Sequence, residues 1–221
     1  MKNVVPRNGT PGRRPVGRPR AFDRDRALDR AMEVFWSKGY ESASLADLTR
    51  AMRINPPSLY AAFGDKESLF IEAVQRYHEN VRQSCPYAGE RTARAAVERL
   101  LTELATLFTD RGHPPGCLAV MAMVTAGTTS ARLQRMLADE RAAARTRLRE
   151  RIRQGVKEGD LPAATDVDTL TGFYAAVIMG MSLQAREGAS RRALLTMVET
   201  AMRAWPALPR RGARRKLALA A

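Results

Sequence analysis

The stretch SLADLTRAMRINPPSLYAAFGDK, residues 44 to 66, constrains this chain more than any other. Its pattern predicts two short helices around a tight turn, then the start of a third. Ser44 is placed as an N-cap whose hydroxyl accepts from the amide near Asp47, and Leu45, Leu48 and Met52 recur at one-face helical spacing. That makes a helix of about two turns. Arg53 and Ile54 form the turn, and Asn55 caps a second helix opening on Pro56 and Pro57, where first-turn amides lack intrahelical partners anyway. Leu59 and Phe63 point to a core. Gly64 ends this helix and Asp65 caps the next, which leaves Lys66 and two or three free amides at a helix N-terminus, a good phosphate site.

Two short helices across a tight turn are the helix-turn-helix reader of the DNA major groove. The run SLADLTRAMRINPPSLYAAFGDKESLF also resembles the DNA-binding domain of the TetR (tetracycline-repressor) family, over roughly residues 20 to 82. The family pattern runs Ser/Thr, a hydrophobic pair, a Gly turn, then Leu-Tyr, a Phe and a Lys. The resemblance implies that Tyr60 and Lys66 touch phosphates, and Ser44 is a further candidate while capping. Arg53 stands where the family usually has Gly. If the position needs positive φ, an Arg there is strained by about 1 kcal/mol, so either the turn differs or the side chain reaches DNA. For base edges the second helix offers Asn55 and Ser58 as hydrogen-bonding groups, Pro56 and Pro57 against thymine methyls, and Arg53 for a guanine. Direct readout is thin, which leaves more to DNA shape and to the N-terminal arm.

Charge is unevenly placed in this 221-residue chain of net charge +14. Residues 1 to 22 carry six basic residues and no acid, and residues 207 to 221 carry five more. Residues 23 to 82 are near neutral, so the arm must supply much of the attraction to phosphate. Rich in Gly, Pro and Arg, residues 1 to 20 are expected to be disordered when free; Gly17-Arg18-Pro19-Arg20 resembles an AT-hook core, with Arg18 and Arg20 laid along a minor groove.

Helical periods elsewhere predict an all-α fold of about nine helices: a three-helix helix-turn-helix domain over 21 to 82 and a helical effector-binding and dimerisation domain over 90 to 206, with a basic tail at 207 to 221. Leu28, Ala31, Met32 and Phe35 stripe a first helix, Asp25 to Lys38, ended by Gly39. A fourth runs from Asp65 to about Arg82, and Pro86 and Gly89 mark the domain boundary. Beyond it come a helix striped by Val97, Leu100, Leu101, Leu104 and Phe108, a short one from Cys117 to Thr125, and a long one from Ser130 to Lys157 with Leu133, Leu137, Ala144, Leu148 and Ile152 inward. Asp166 and Ser190 cap the last two, to Arg186 and Ala204.

Between Phe173 and Leu183 the penultimate helix is apolar almost all round, more than one small domain readily covers. Such a helix is either the centre of the chain's own core or, as the preferred reading, part of a homodimer interface through Asp166 to Arg186 and Ser190 to Ala204, with Leu194, Leu195, Val198, Met202 and Trp205 in it. The family resemblance supports this, since its members pair through the last two helices. Phe108, Met121, Met123, Phe173 and Tyr174 are candidates to line a small-molecule effector site, because flexible Met and aromatic walls repack around apolar ligands.

No cofactor, metal or enzyme chemistry is indicated: His78 and His113 lack partners at catalytic or metal spacing, and there is no Gly-rich phosphate loop or nucleophile elbow. Cys85 and Cys117 are too few for a disulfide framework and fit a cytoplasmic protein; no apolar run is long enough to span a bilayer. The resulting expectation is a homodimeric regulator on palindromic double-stranded DNA, released by an effector. A redox sensor using Cys117 and a sequence-blind architectural DNA binder are the alternatives.

Overall fold

A computed structural model describes residues 22–84, 89–125 and 130–208, with the side chains of 123–125 outside the described set. The elements are α1 (Arg24–Ser42), α2 (Leu45–Met52), α3 (Pro56–Phe63), α4 (Lys66–Ser84), α5 (Ala93–Phe108), α6 (Leu118–Thr125), α7 (Ala131–Lys157), α8 (Val167–Arg186) and α9 (Arg191–Arg203). No strand occurs among the described residues. Side-chain caps set most starts: Ser44, Asn55, Thr92, Ser130, Asp166 and Ser190 each accept from a first-turn amide. The first helix breaks at its expected end. Gly39 interrupts it at φ 78° and ψ 170°, but helical turns resume to Ser42.

Two cores result. The first gathers α1 to α4 around Phe35, Leu48, Leu59, Leu69 and Phe70, and it also takes in Leu118, Ala119 and Ala122 of α6 with Leu133 and Leu137 of α7. The second joins α5, the later part of α7, α8 and α9 around Leu101, Phe108, Ile152, Tyr174, Met181 and Leu194. Thus α6, which follows the second segment's first helix in the chain, packs with the first core.

Three expectations about buried faces need correcting. Leu45 is exposed, because α2 buries only Leu48 and Met52 against its neighbours. Ala144 is exposed as well, since α7 is covered near its two ends and not along residues 141–146. Leu194, Val198, Met202 and Trp205 are buried in the chain's own core, where α9 lies on α5 and α8, so they are not free to meet a second copy. What α8 leaves open is Phe173, Met179 and Leu183, 41%, 38% and 37% exposed.

The two segments are tied through the loop after α5. Gly116 donates to Phe108 O at 2.9 Å and Cys117 N donates to Ser182 Oγ at 2.8 Å. Only glycine fits there: its φ is 82°, and a Cβ would stand 2.7 Å from the Ser182 carbonyl oxygen. From the end of α8, Arg186 donates to the carbonyls of Trp36 at 3.3 Å and Ser37 at 2.6 Å, just before the break at Gly39.

Candidate nucleic-acid interface

The reader is fixed at its ends by polar side chains. Ser44 Oγ accepts from Asp47 N at 3.0 Å, and Asp47 Oδ2 accepts from Ser44 N at 3.2 Å and from Ser44 Oγ at 2.8 Å. This is a reciprocal capping box with aspartate in the return position. Lys38 Nζ stands 2.8 Å from Asp47 Oδ1, and together Lys38 and Ser44 hold that carboxyl far below the usual carboxylate range. The Ser44 hydroxyl proton is therefore committed to Asp47. The first-turn amides of α2 are reached by no intrahelical carbonyl, which suits this helix start to an anion.

Arg53 closes α2 in the left-handed conformation, φ 57° and ψ 43°, and is the only non-glycine residue at positive φ among those described. Its N–H donates to Arg50 O at 3.3 Å and Ile54 N donates to Thr49 O at 3.1 Å, a glycine-type cap made by an arginine. The turn geometry is thus the ordinary one, at a strain of about 1 kcal/mol. Arg53 lines a cleft with Arg111, Gly112, His113 and Pro114 of the α5–α6 loop.

On α3, Asn55 Oδ1 accepts from Ser58 N at 2.9 Å, which leaves the Asn55 side-chain amide as a donor. Pro56, Pro57 and Tyr60 are exposed and Ser58 is half-buried. Tyr60 is 47% exposed although it sits one turn from buried Phe63. Leu59 and Phe63 seat the other face in the core.

Two contacts that sequence reasoning missed hold α3 and α4 in place. The Arg24 guanidinium donates to the Glu72 carboxylate at 2.7 Å and to Ala62 O at 3.3 Å, and it lies 4.4 Å from the Phe63 ring centroid. One side chain thereby locks α1, the end of α3 and the middle of α4 together. Lys66 Nζ sits 4.6 Å from the Tyr40 ring centroid and donates to Glu41 O at 3.3 Å. Partial burial lowers the Lys66 pKa from its ordinary value and raises that of Tyr40. The signals were available: an aromatic residue directly after the Gly39 break, and an arginine in the first turn of α1.

The other expected residues are scattered. Arg18 and Arg20 lie outside the described residues, as does the Met123 side chain. Phe108 and Tyr174 are both buried in the second core, and Tyr174 OH donates to Ala201 O at 3.1 Å with its pKa raised by burial to about 12. Phe173 is exposed beside Tyr174 and lines a cleft of about 510 Å³ with Pro162, Thr165, Leu170 and Pro206. Met121 is half-buried on α6. Phe108 lies at the α6 end of α8, near Ser182, whereas Tyr174 lies two turns away against α9. Cys117 is half-buried with its thiol pushed up by burial, which keeps the nucleophilic thiolate scarce. Among the described residues no group of three or more His, Cys, Asp or Glu could hold a metal, and no helix is long and apolar enough to cross a membrane.

This arrangement has known counterparts. Residues 27–73 match the model of the bacterial regulatory proteins of the tetR family, and 93–208 match the tetracyclin repressor-like C-terminal domain. The HTH-type transcriptional repressor ComR of Escherichia coli K12 is 36% identical over 195 residues, 87% of this chain and 93% of ComR. BdcR of the same strain, also an HTH-type transcriptional repressor, is 29% identical over 79% of this chain and 84% of its own length. A cysteine variant of the TetR-family regulator CifR, solved with a 26-base-pair operator duplex, superposes with a TM-score of 0.81 at 50% identity, covering 86% of this chain and all of that one. All three are named as transcriptional regulators. With both halves matched and the reader built as its geometry requires, the chain belongs to the TetR family of DNA-binding transcriptional regulators.

Proposed function

We propose that this regulator is a repressor that sits on a palindromic operator as a homodimer and leaves it when a small molecule binds the C-terminal segment. The observation that carries the DNA half is the reader itself: exposed Asn55, Pro56, Pro57 and Tyr60 on a helix pinned from behind by Arg24, flanked by the N-termini of α2 and α4. In this reading Tyr60, Lys66 and the first amides of α2, where Ser44 caps, hold phosphates. Asn55, Ser58 and the two prolines face bases. Arg53 lines the cleft it shares with the α5–α6 loop, and this reading assigns it to no base.

The names of ComR and BdcR as repressors and the operator duplex bound by the CifR variant support repression at a defined site. For pairing, the apolar stripe left open on α8, Phe173, Met179 and Leu183 with Ala176 and Gly180 between them, supports an interface centred on α8. The route from effector to reader is supported by α6. Its Leu118, Ala119 and Ala122 share a core with α1 and α4, while the loop before it is pinned to α8 at Ser182. A ligand that shifts α6 between Phe108 and Met121 therefore pushes on the reader and changes the spacing of two reading helices about 34 Å apart.

Sequencing of genomic fragments captured by the full-length protein tests the whole reading. A single palindrome with half-sites one helical turn or a multiple apart is expected, and capture without sequence preference contradicts it. In parallel, Met179→Asp with Leu183→Asp is expected to shift the protein to monomer in sedimentation; a variant that stays dimeric removes α8 from the interface.

A further inference from the structure

An open cleft of about 630 Å³ lies between α1, the C-terminal end of α2 and the α5–α6 loop. Its walls carry Arg30, Arg50, Arg53 and Arg111 against one carboxylate, Glu33. The surrounding reader is laced with ion pairs, Arg24 to Glu72, Lys38 to Asp47 and Arg76 to Asp29, yet none of these four guanidinium groups is in an ion pair among the described residues. Four like charges converging on one concavity repel one another, and an anion placed among them relieves that repulsion. Guanidinium forks suit phosphate and carboxylate oxygens in particular.

The backbone of one wall points the same way. Arg53 is held at the cleft by a left-handed backbone that glycine would adopt without strain. In the loop wall, His113 stacks on Trp36 with ring centroids 4.4 Å apart and donates from Nδ1 to Pro114 O at 2.9 Å, which ties the loop to α1. The Asp110 carboxylate accepts from Gly112 N at 2.9 Å beside this wall.

We propose that this cleft binds a small polyanion, a phosphate-bearing or polycarboxylate molecule, through Arg30, Arg50, Arg53 and Arg111. DNA backbone is a poorer occupant. The cleft lies at the C-terminal end of α2, about 12 Å of helix rise from the amides that Ser44 caps, and one wall is the loop after α5. An anion there bridges α1 and α2 of the reader to a loop pinned on α8, so its concentration is coupled to operator binding.

The probe is inorganic pyrophosphate, titrated calorimetrically into the full-length protein at ionic strength held constant with sodium chloride. Saturable binding is expected, and Arg30→Ala with Arg111→Ala is expected to weaken it by about tenfold or more while leaving the anion-free melting temperature and operator affinity unchanged. The lysine pair, Arg30→Lys with Arg111→Lys, retains binding of intermediate strength, and Arg111→Gln alone serves if the double alanine variant folds poorly. Equal affinities in wild type and variants would place the anion on the basic tails and overturn the site. So would the absence of saturable binding. A loss of operator affinity in the alanine variant without pyrophosphate would give the cleft to DNA and overturn it equally.

Discussion

The two cores of this molecule are held in different ways. In the first, named side chains fix each element end: the Ser44–Asp47 box, Asn55 on Ser58 N, Asp65 on Ser68 N, and Arg24 across α1, α3 and α4. In the second, caps start α5, α8 and α9 and arginines bridge elements at its rim, Arg149 to Asp168 and Arg151 to Glu90 O, while its interior is registered mainly by shape. Tyr174 fits under Trp205 and Ala201, and Gly155 is packed so tightly that a Cβ there would lie 2.5 Å from that of Ala93. A reader must present α3 in one pose, and directional hydrogen bonds do that. A receiver must yield to a ligand, and apolar packing permits alternative arrangements.

That contrast can be broken by mutation, most forcefully in the aromatic cluster of the first core. Phe70 is buried edge-on against Phe35, with centroids 4.9 Å apart and planes at 83°. Phe70→Ala is expected to cost about 3–5 kcal/mol in denaturant unfolding. Because α6 and the start of α7 share that core, the loss is expected to reach the second segment too, visible as a lowered transition of Trp205 fluorescence in a Trp36→Phe background. If the Trp205 transition stays put, the two cores are independent.

Smaller changes sharpen the account. Arg53→Gly is expected to raise stability by up to about 1 kcal/mol by relieving the left-handed strain, with operator affinity unchanged. A destabilised Arg53→Gly protein would mean that the side chain contributes more than its backbone costs. The smallest effect is a pH dependence. Burial lowers the pKa of His78, whose Nδ1 is 3.3 Å from Glu140 Oε2 between α4 and α7 while Arg147 and Arg82 repel its charged form. A histidine depressed in the folded state adds stability above its unfolded value of 6.5 and loses it as the pH falls through the lower folded value. The melting temperature is therefore expected to drop as the pH falls below about 6.5, and less so in His78→Gln; equal slopes dismiss the histidine.

How much was legible in the sequence follows the same division. The reader was readable because its determinants are local: Ser44, Asn55, the Pro56–Pro57 start and Gly64 each act within four residues of where they stand. The helices of the second segment were equally visible, since Asp166 and Ser190 are local caps. Their facing was not. Leu194, Val198, Met202 and Trp205 form a stripe that suits a partner or a core equally well, and only the position of α5 and α8 decides for the core. Arg24 on Glu72 and Arg186 on Trp36 O span 48 and 150 residues, and no periodicity marks such pairs. The cationic cleft was hidden for the same reason, because Arg111 joins Arg30, Arg50 and Arg53 only through the path of the α5–α6 loop.

The central claim is that the reader separates holding DNA from reading it. It is tested most directly by fluorescence anisotropy on the captured operator and on a scrambled duplex of equal length at one salt concentration. Tyr60→Phe and Lys66→Ala are predicted to weaken both duplexes by the same factor, while Asn55→Ala and Ser58→Ala reduce the preference for the operator, by about 1–3 kcal/mol per lost base contact. If Tyr60→Phe and Lys66→Ala leave both affinities intact, or if Asn55→Ala and Ser58→Ala leave the preference intact, α3 is not placed on DNA as described.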